Sequence, residues 1–319
     1  MRVLVVGATM PLGAALVQRL LDDPDVEHVL EVGSEPYASA TPRLSYQRVD
    51  LTRERAVHDL VHGVARKLEI DAVVHLALHR SARDEGARIH ARNVEATRQL
   101  LRCCAEVPTI RRFVFQSTAA VYALRSTAPA LLDEDAALEF DPGATQWIRD
   151  RVEADLTVCA RMGMSPMSIV VLRAAEILAP AMGSQLWDYL QSRVCLRPLG
   201  FDPMINVLSL EDAADAIRLA LATTSQGVFN IAGADTLPLS RLIARWGRRD
   251  VPVPGPLLAP LYRLRAWSIG LEFRYDLNLR RFHVGGQVDD TRARAELGYG
   301  ATRPTAWPRP AGDDHSTAT

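Results

Sequence analysis

The chain has 319 residues, 48% hydrophobic and 24% charged, with a formal net charge of −1. That length supports one large or two modest domains with a substantial core, and the composition is that of an ordinary soluble globular protein. The near-zero charge excludes an overall field that recruits nucleic acid, and no run approaches the ~18 uninterrupted apolar residues of a membrane-spanning helix.

The first predicted element is a Val-rich strand at 2–6 that breaks at Gly7. Gly13 follows six residues later and opens a segment, Ala14 to Leu21, with helical spacing. Strand, tight glycine turn and helix start follow in that order. Glycine at position 7 lets backbone approach a ligand with no Cβ between them. The helix beyond presents unpaired N–H groups and the positive end of its dipole, both of which favour an anion. Gly7, Thr9, Met10, Pro11, Leu12 and Gly13 are therefore the candidate cradle for the phosphates of a dinucleotide. Pro11 suits the first helical position. A three-glycine turn would have glycine at position 10, and Met10 takes room where a pyrophosphate would lie. Gly7 and Pro11 interrupt the apolar stretch 3–21, so it is expected to be strand and helix and not a secretion signal.

Further strands are predicted at 28–33, 44–49, 71–76, 111–117 and 167–173, and helices near 11–22, 54–68, 85–106 and 145–163. This alternation predicts an α/β fold, a doubly wound parallel sheet covered on both faces. Ligands in such sheets collect at the carboxyl ends of the strands, which gathers Gly7, Gly33, His75 and Ser117 around one crevice. After about residue 175 the texture changes to short elements mixed with Pro and Gly. The expected division is a dinucleotide-binding domain over 1–175, a smaller lid over 176–300 and a frayed tail over 301–319. Between 241 and 281 nine arginines face only Asp250, Glu272 and Asp276, interleaved with Leu, Trp, Tyr and Phe. Two readings fit: a surface for anionic lipid or a phosphorylated substrate, and a lid helix with a solvated arginine face, the second being preferred. The four cysteines, Cys103, Cys104, Cys159 and Cys195, lack metal-ligand spacing and are expected to be reduced thiols of a cytoplasmic protein. His58/His62 and His75/His79 have helical metal-ligand spacing but read as solvated or core residues, so no metal is expected.

Several segments in order resemble the extended short-chain dehydrogenase/reductase family, the NAD-dependent epimerases and dehydratases. Gly7 to Gly13 is similar to its glycine turn. Val49-Asp50-Leu51 is similar to the end of its third strand, and the resemblance implies that Asp50 and Leu51 contact adenine. His75-Leu76-Ala77 is similar to the loop under the cofactor, which implies roles for Leu76 and Ala77. Asn93-Val94-Glu95-Ala96-Thr97 is similar to an Asn-Val-x-Gly-Thr helix start. Ser117 to Tyr122 is similar to the Ser-Ser-x-x-Val-Tyr stretch, with Thr118 on the catalytic Ser/Thr position. Leu172 to Pro180 resembles Leu-Arg-Pro-x-Asn-x-Tyr-Gly-Pro, and Ile205 to Ala216 resembles the entry to the lid helix with an acidic pair, Glu211 and Asp212. The resemblance covers about residues 1–300. It implies a Rossmann sheet with a substrate lid, NAD or NADP as cofactor, and a nucleotide sugar or other small molecule as ligand. It also implies a homodimer through the helices 85–106 and 145–163, with Ile89, Val94, Leu100, Leu101, Ile148, Val152 and Leu156 as the apolar groups.

The departures fall on the chemistry. The family's Tyr-x-x-x-Lys aligns with Trp147 and Arg151, and the single lysine, Lys67, stands in no such motif. A phenol moves a proton because a neighbouring lysine and the cofactor lower its pKa. Indole N–H only donates a hydrogen bond, and a guanidinium is neither acid nor base near neutrality. Arg151 can still hold a ribose hydroxyl. Tyr122 and Glu176 are the substitutes to weigh, Tyr122 mainly as a packing residue. At the end of the second strand Gly33 takes the place of the acid that holds a ribose diol, Ser34 follows, and Glu35 comes two residues late. No arginine follows to grip a 2′-phosphate, so NADP is not favoured either; weak NAD binding or an emptied pocket fits best, with NAD slightly ahead of NADP. The preferred expectation is a cofactor-binding sensor, scaffold or partner subunit without the standard activity, a pseudoenzyme. The rivals are an active epimerase, dehydratase or reductase with a rebuilt acid, and a peripheral protein acting through 241–281.

Overall fold

Six of the predicted apolar runs become neighbouring strands of one parallel sheet in a computed structural model that describes residues 1–33, 41–125, 129, 131–270 and 272–307. They are β1 (Arg2–Val6), β2 (His28–Val32), β3 (Leu44–Gln47), β4 (Ala72–His75), β5 (Arg112–Thr118) and, after the two-residue β6 (Leu131–Leu132), β7 (Ser168–Ala174). The remaining strands are β8 (Glu176–Ile177), β9 (Val194–Pro198), β10 (Met204–Leu208), β11 (Gly227–Ile231), β12 (Asp235–Pro238), β13 (Arg249–Val253) and β14 (Gln287–Val288). The central sheet has seven strands in the order β11-β7-β5-β4-β1-β2-β3, and every pairing within it is parallel.

Side chains alternate across this sheet. Val3 and Val5 pack under the helices Pro11–Asp22 and Leu210–Ala222, while Leu4 and Val6 pack on the opposite face with Val57, Leu100, Leu101 and Val158. Burial on both faces is why these strands read as continuous apolar runs.

The predicted boundary at 175 is corrected. Residues 210–231 return to the first domain, because the apolar face of Leu210–Ala222 (Ala213, Ala214, Ile217, Leu221) and Phe229 of β11 complete one face of the central sheet. The segment expected to be a lid-helix entry is thus a covering helix, capped by the Ser209 hydroxyl accepting from the Asp212 N–H. The lid is what remains. Two small sheets (β12-β10-β8 and β13-β9) and the helices Gln185–Leu190, Leu239–Arg245, Gly255–Ile269 and Tyr275–Val284 surround an aromatic core of Tyr189, Tyr262, Phe273 and Phe282. The expected tail is corrected in part as well. The Thr305 N–H donates to Asp235, Arg303 pairs with Asp215, and Trp307 packs on the lid core; residues 308–319 lie outside the described residues.

Most of the apolar groups expected at a dimer interface belong to the protomer's own core. Val94, Leu100, Leu101 and Val152 are buried, and Leu156 is 37% exposed. No helix among the described residues is long and apolar enough to cross a membrane.

Candidate functional site

The glycine turn is closed by backbone. The N–H groups of Gly7 and Ala8 both donate to the Val32 carbonyl, at 2.9 and 3.2 Å, and the Met10 N–H returns to the Gly7 carbonyl. Gly7 has φ +95°, and a Cβ there would stand 3.0 Å from the Ala77 nitrogen and 3.1 Å from the Leu76 carbonyl carbon. Leu76 and Ala77 therefore form the floor under the turn. A Cβ on Gly13 would lie 2.5 Å from the Gly7 carbonyl oxygen, so only glycine lets the helix Pro11–Asp22 start this close to the strand. Met10 is in extended backbone, φ −73° and ψ 152°, as the N-cap with no side-chain hydrogen bond. Nothing in the backbone calls for glycine at 10; the methionine changes only the space in front of the helix, with Pro11 at the first turn and Leu12 buried behind it.

Gly33 is also a packing glycine. Its Cβ would meet Thr9 Cγ2 at 2.8 Å, so a side chain at that position requires Thr9 to shift. The Ser34 and Glu35 of the expected ribose site lie outside the described residues. Asp50 accepts from the Thr52 N–H and hydroxyl, at 3.1 and 2.7 Å, and these bonds hold its carboxyl below the usual range. Leu51 packs against the sheet core.

The loop after β4 is the hub of the cleft. The buried Asn93, in a π-helical turn (Ala91–Glu95) of the kind that often marks functional positions, accepts from the His79 N–H at 2.7 Å and donates to Asp150 at 3.0 Å. Arg151 donates to the His79 carbonyl at 2.9 Å and to the Trp147 carbonyl at 3.1 Å, and its guanidinium lies 3.4 Å from the centroid of the Trp147 ring. The Trp147 indole donates to the Arg80 carbonyl at 3.3 Å. Arg80 in turn bonds the carbonyl of Ala181, a non-glycine residue at φ +57°, and a Cβ on Gly183 would stand 2.6 Å from the Arg80 carbonyl oxygen. Burial pushes the Arg151 pKa down to about 9, which leaves the group charged near neutrality, where it makes no ion pair among the described residues. Arg80 was missed by sequence reasoning and His79 was weighed only for metal, since their part in the site is played by backbone carbonyls that any residue supplies.

Beside this hub Thr118 ends β5 with its hydroxyl oxygen accepting from the Ala120 N–H at 3.2 Å. Ser117 is buried and donates to Asp155 at 2.5 Å. Asp155 forms a two-point ion pair with Arg173, at 2.7 and 3.1 Å, both side chains being at most 5% exposed. Arg173 also reaches the Tyr122 hydroxyl, which donates to Asn230 at 2.7 Å. Burial pushes the Tyr122 pKa up to about 12 despite the arginine. This phenol donates its hydrogen bond within a buried network. Asp155 was not singled out in the sequence, one of several ionisable residues on a helix that covers the sheet, and Arg173 entered only as the arginine of the Leu172–Pro180 segment.

Glu176 follows the sheet and lines both cavities of the site. It accepts from the Ser184 hydroxyl at 2.5 Å and the Leu186 N–H at 3.2 Å, and it pairs with Arg281. Burial raises its pKa, but Arg281 and these hydrogen bonds outweigh that and hold it below the ordinary carboxylate value.

One cavity, about 110 Å³, lies between Met10, Leu76, Thr118, Trp147, Arg151 and Met182. The other, about 270 Å³, lies under the lid helix Tyr275–Val284. Its lining carries Glu139, Asp141, Glu176 and Asp276 against Arg280 and Arg281. Arg280 pairs with Glu139 and Asp141, at 2.5 and 3.0 Å, and Arg281 with Glu176. Each guanidinium in the lining is neutralised.

His75 is fully buried on Thr97 and two phenylalanines, and burial pushes its pKa down to about 4. His79 pairs with Asp84 and His62 with Glu106, and no metal-holding group of His, Cys, Asp and Glu occurs among the described residues. All four cysteines are free.

A parallel sheet wound in this order around a glycine turn, with a lid over its carboxyl end, defines a Rossmann-type class. Residues 3–232 match the NAD dependent epimerase/dehydratase family, and the chain belongs to it. It is 32% identical over 304 residues to an uncharacterized protein of Mycobacterium tuberculosis, covering 93% of this chain and 79% of that one. Among solved structures it resembles the Bordetella bronchiseptica enzyme WbmG in complex with NAD (17% identity, 95% and 90% of the two chains, TM-score 0.71). It also resembles DesIV, a dTDP-glucose 4,6-dehydratase of Streptomyces venezuelae with NAD and TYD bound (19% identity, 95% and 93%, TM-score 0.70). At these identities the solved structures speak for the fold.

Proposed function

We propose that this chain binds NAD at the glycine turn and a small molecule under its lid, and that it works as a sensor or partner subunit without the family's proton transfer. The cradle fits the cofactor. Positive φ at Gly7, the close helix start at Gly13 and the Leu76–Ala77 floor leave the N–H groups of the helix Pro11–Asp22 facing the turn. Bound NAD supplies a hydride acceptor; a proton must then leave a substrate hydroxyl through a protein group. NAD is preferred to NADP because the solved relatives hold NAD. The free thiols fit a reducing compartment, the cytoplasm.

The observation that carries the reading is the Trp147–Arg151 stack. The one polar side-chain atom of Trp147 is committed to the Arg80 carbonyl, and Arg151 is committed to two carbonyls and the indole face. Neither exchanges a proton near neutrality. Thr118 is left to bind a substrate oxygen with no partner to activate it. Glu176 is ion-paired, and Tyr122 is bonded inside the sheet edge, so neither replaces the lost acid.

The larger cavity favours an uncharged ligand over a nucleotide sugar. A diphosphate there would have to displace Glu139, Asp141 or Glu176 from their arginines. Calorimetric titration tests the cofactor half of the proposal. Saturable NAD binding is expected, and its complete absence in the folded protein would overturn it.

A further inference from the structure

The helix Gly255–Ile269 is apolar on two faces. Leu258 and Tyr262 are buried in the lid core. On the far side Leu257, Leu261, Leu264 and Trp267 recur at intervals of four and three and are 53%, 36%, 57% and 84% exposed. Pro256 and Pro260 lie exposed in the same stretch. Four large apolar side chains in one helical stripe form a continuous patch, which a chain without a partner there would not keep. Along this stripe apolar groups face outward beside the arginines, where the preferred sequence reading predicts a solvated arginine face alone.

The arginines flank it. On the helix Arg263 and Arg265 lie to either side of the stripe, a placement that follows from 100° per residue. Arg265 donates to the Val194 carbonyl at 2.8 Å, and the Arg249 N–H donates to the Arg193 carbonyl at 3.1 Å, so the edge of β9 and β13 brings Arg193 and Arg249 beside the same helix. Arg248 donates to the Leu190 carbonyl next to them. None of these five arginines has an ion-pair partner among the described residues; the one acid of β13, Asp250, is held by Arg197 at 2.9 Å. The helix itself contains no acid.

We propose that this face docks on an anionic membrane surface. The helix lies in the interfacial plane, the leucines and Trp267 enter between headgroups, and the arginines contact lipid phosphates. Charge selects this occupant. A second copy meeting the patch about a twofold axis would set one arginine cluster against another, whereas a bilayer rich in anionic lipid supplies apolar and negative groups together. The attachment is reversible and salt-sensitive, since a short stripe supplies modest apolar area and the rest is Coulombic.

The test is co-sedimentation of the full chain with extruded vesicles, either pure phosphatidylcholine or phosphatidylcholine with an equal part of phosphatidylglycerol. Binding is expected to the second kind only, falling several-fold between about 0.1 M and about 0.5 M salt. Leu264→Ser with Trp267→Ser is expected to lower the bound fraction about tenfold or more. Arg193→Gln with Arg249→Gln and Arg263→Gln is expected to do the same while abolishing the salt response. The substituted side chains are exposed, so unchanged thermal melting serves as the control for folding. No binding to anionic vesicles, equal binding by the variants, or a solution dimer that Leu264→Ser with Trp267→Ser splits would each overturn the proposal.

Discussion

The glycine turn and the Trp147–Arg151 stack line the same cleft, and they have kept different things. At the turn the demands are steric. Gly7 and Gly13 meet backbone within about 3 Å at the position of a Cβ, so the fold itself selects glycine there whether or not a ligand binds. At the stack, on the proposed reading, the family's chemistry demands titratable groups, which the fold does not need. The indole and guanidinium there fasten the His79–Arg80 loop. A binding frame persists because packing requires it, while an acid–base pair persists only while the reaction is under selection.

This contrast yields graded expectations. The largest effect is behind Thr118. Removing Asp155 (Asp155→Ala) leaves Arg173 charged and buried, and is expected to cost about 3–5 kcal/mol in denaturant unfolding. A loss below about 1 kcal/mol would mean that the network under the chemical end of the cleft is not a structural brace.

Next is the pH response of His75. Its folded pKa of about 4 lies below the ordinary 6.5, so the unfolded chain takes up the proton first as pH falls. Stability is therefore fully present above about pH 6.5 and is lost between there and about pH 4, by about 3 kcal/mol in all. Urea titrations across that window measure it, and His75→Leu should flatten the slope.

At the turn, Gly13→Ala forces a Cβ against the Gly7 carbonyl. It is expected to cost about 1–3 kcal/mol and to abolish NAD binding in protein that remains folded. Retained NAD affinity would place the cofactor elsewhere. The smallest effect is that of Trp147→Phe, which keeps the ring under Arg151 and loses only the bond to Arg80, about 0.5–1.5 kcal/mol by thermal melting.

Much of the central domain is legible in the sequence because its signals are local. Val-rich runs bounded by Gly7, Asp50 and Ser117, with helical periods between, fix six strands and the crevice. The return of residues 210–231 to the sheet is not legible, because Leu210–Ala222 is equally consistent with covering a lid or the sheet; only Phe229 beside Leu172 decides it. In the site, Trp147 and Arg151 can be read as departures, but what they bind cannot, since the partners are the carbonyls of His79 and Arg80. The neutralisation of Arg280 and Arg281 depends on Glu139, Asp141 and Glu176, more than a hundred residues away for each pair. The exposed stripe of Gly255–Ile269 is hidden for another reason: a helix apolar on both faces gives no periodic contrast to say which side is out.

The decisive measurement is oxidation of a panel of uncharged sugars and secondary alcohols with saturating NAD. It compares the wild-type chain with the Trp147→Tyr, Arg151→Lys variant, and absorbance at 340 nm follows any reduced cofactor. The expected result is no conversion by the wild type and a gain on the order of 10²-fold or more over background in the variant. Wild-type turnover at about 1 s⁻¹ or faster, with no gain on restoring the phenol and amine, would contradict a silenced acid–base pair.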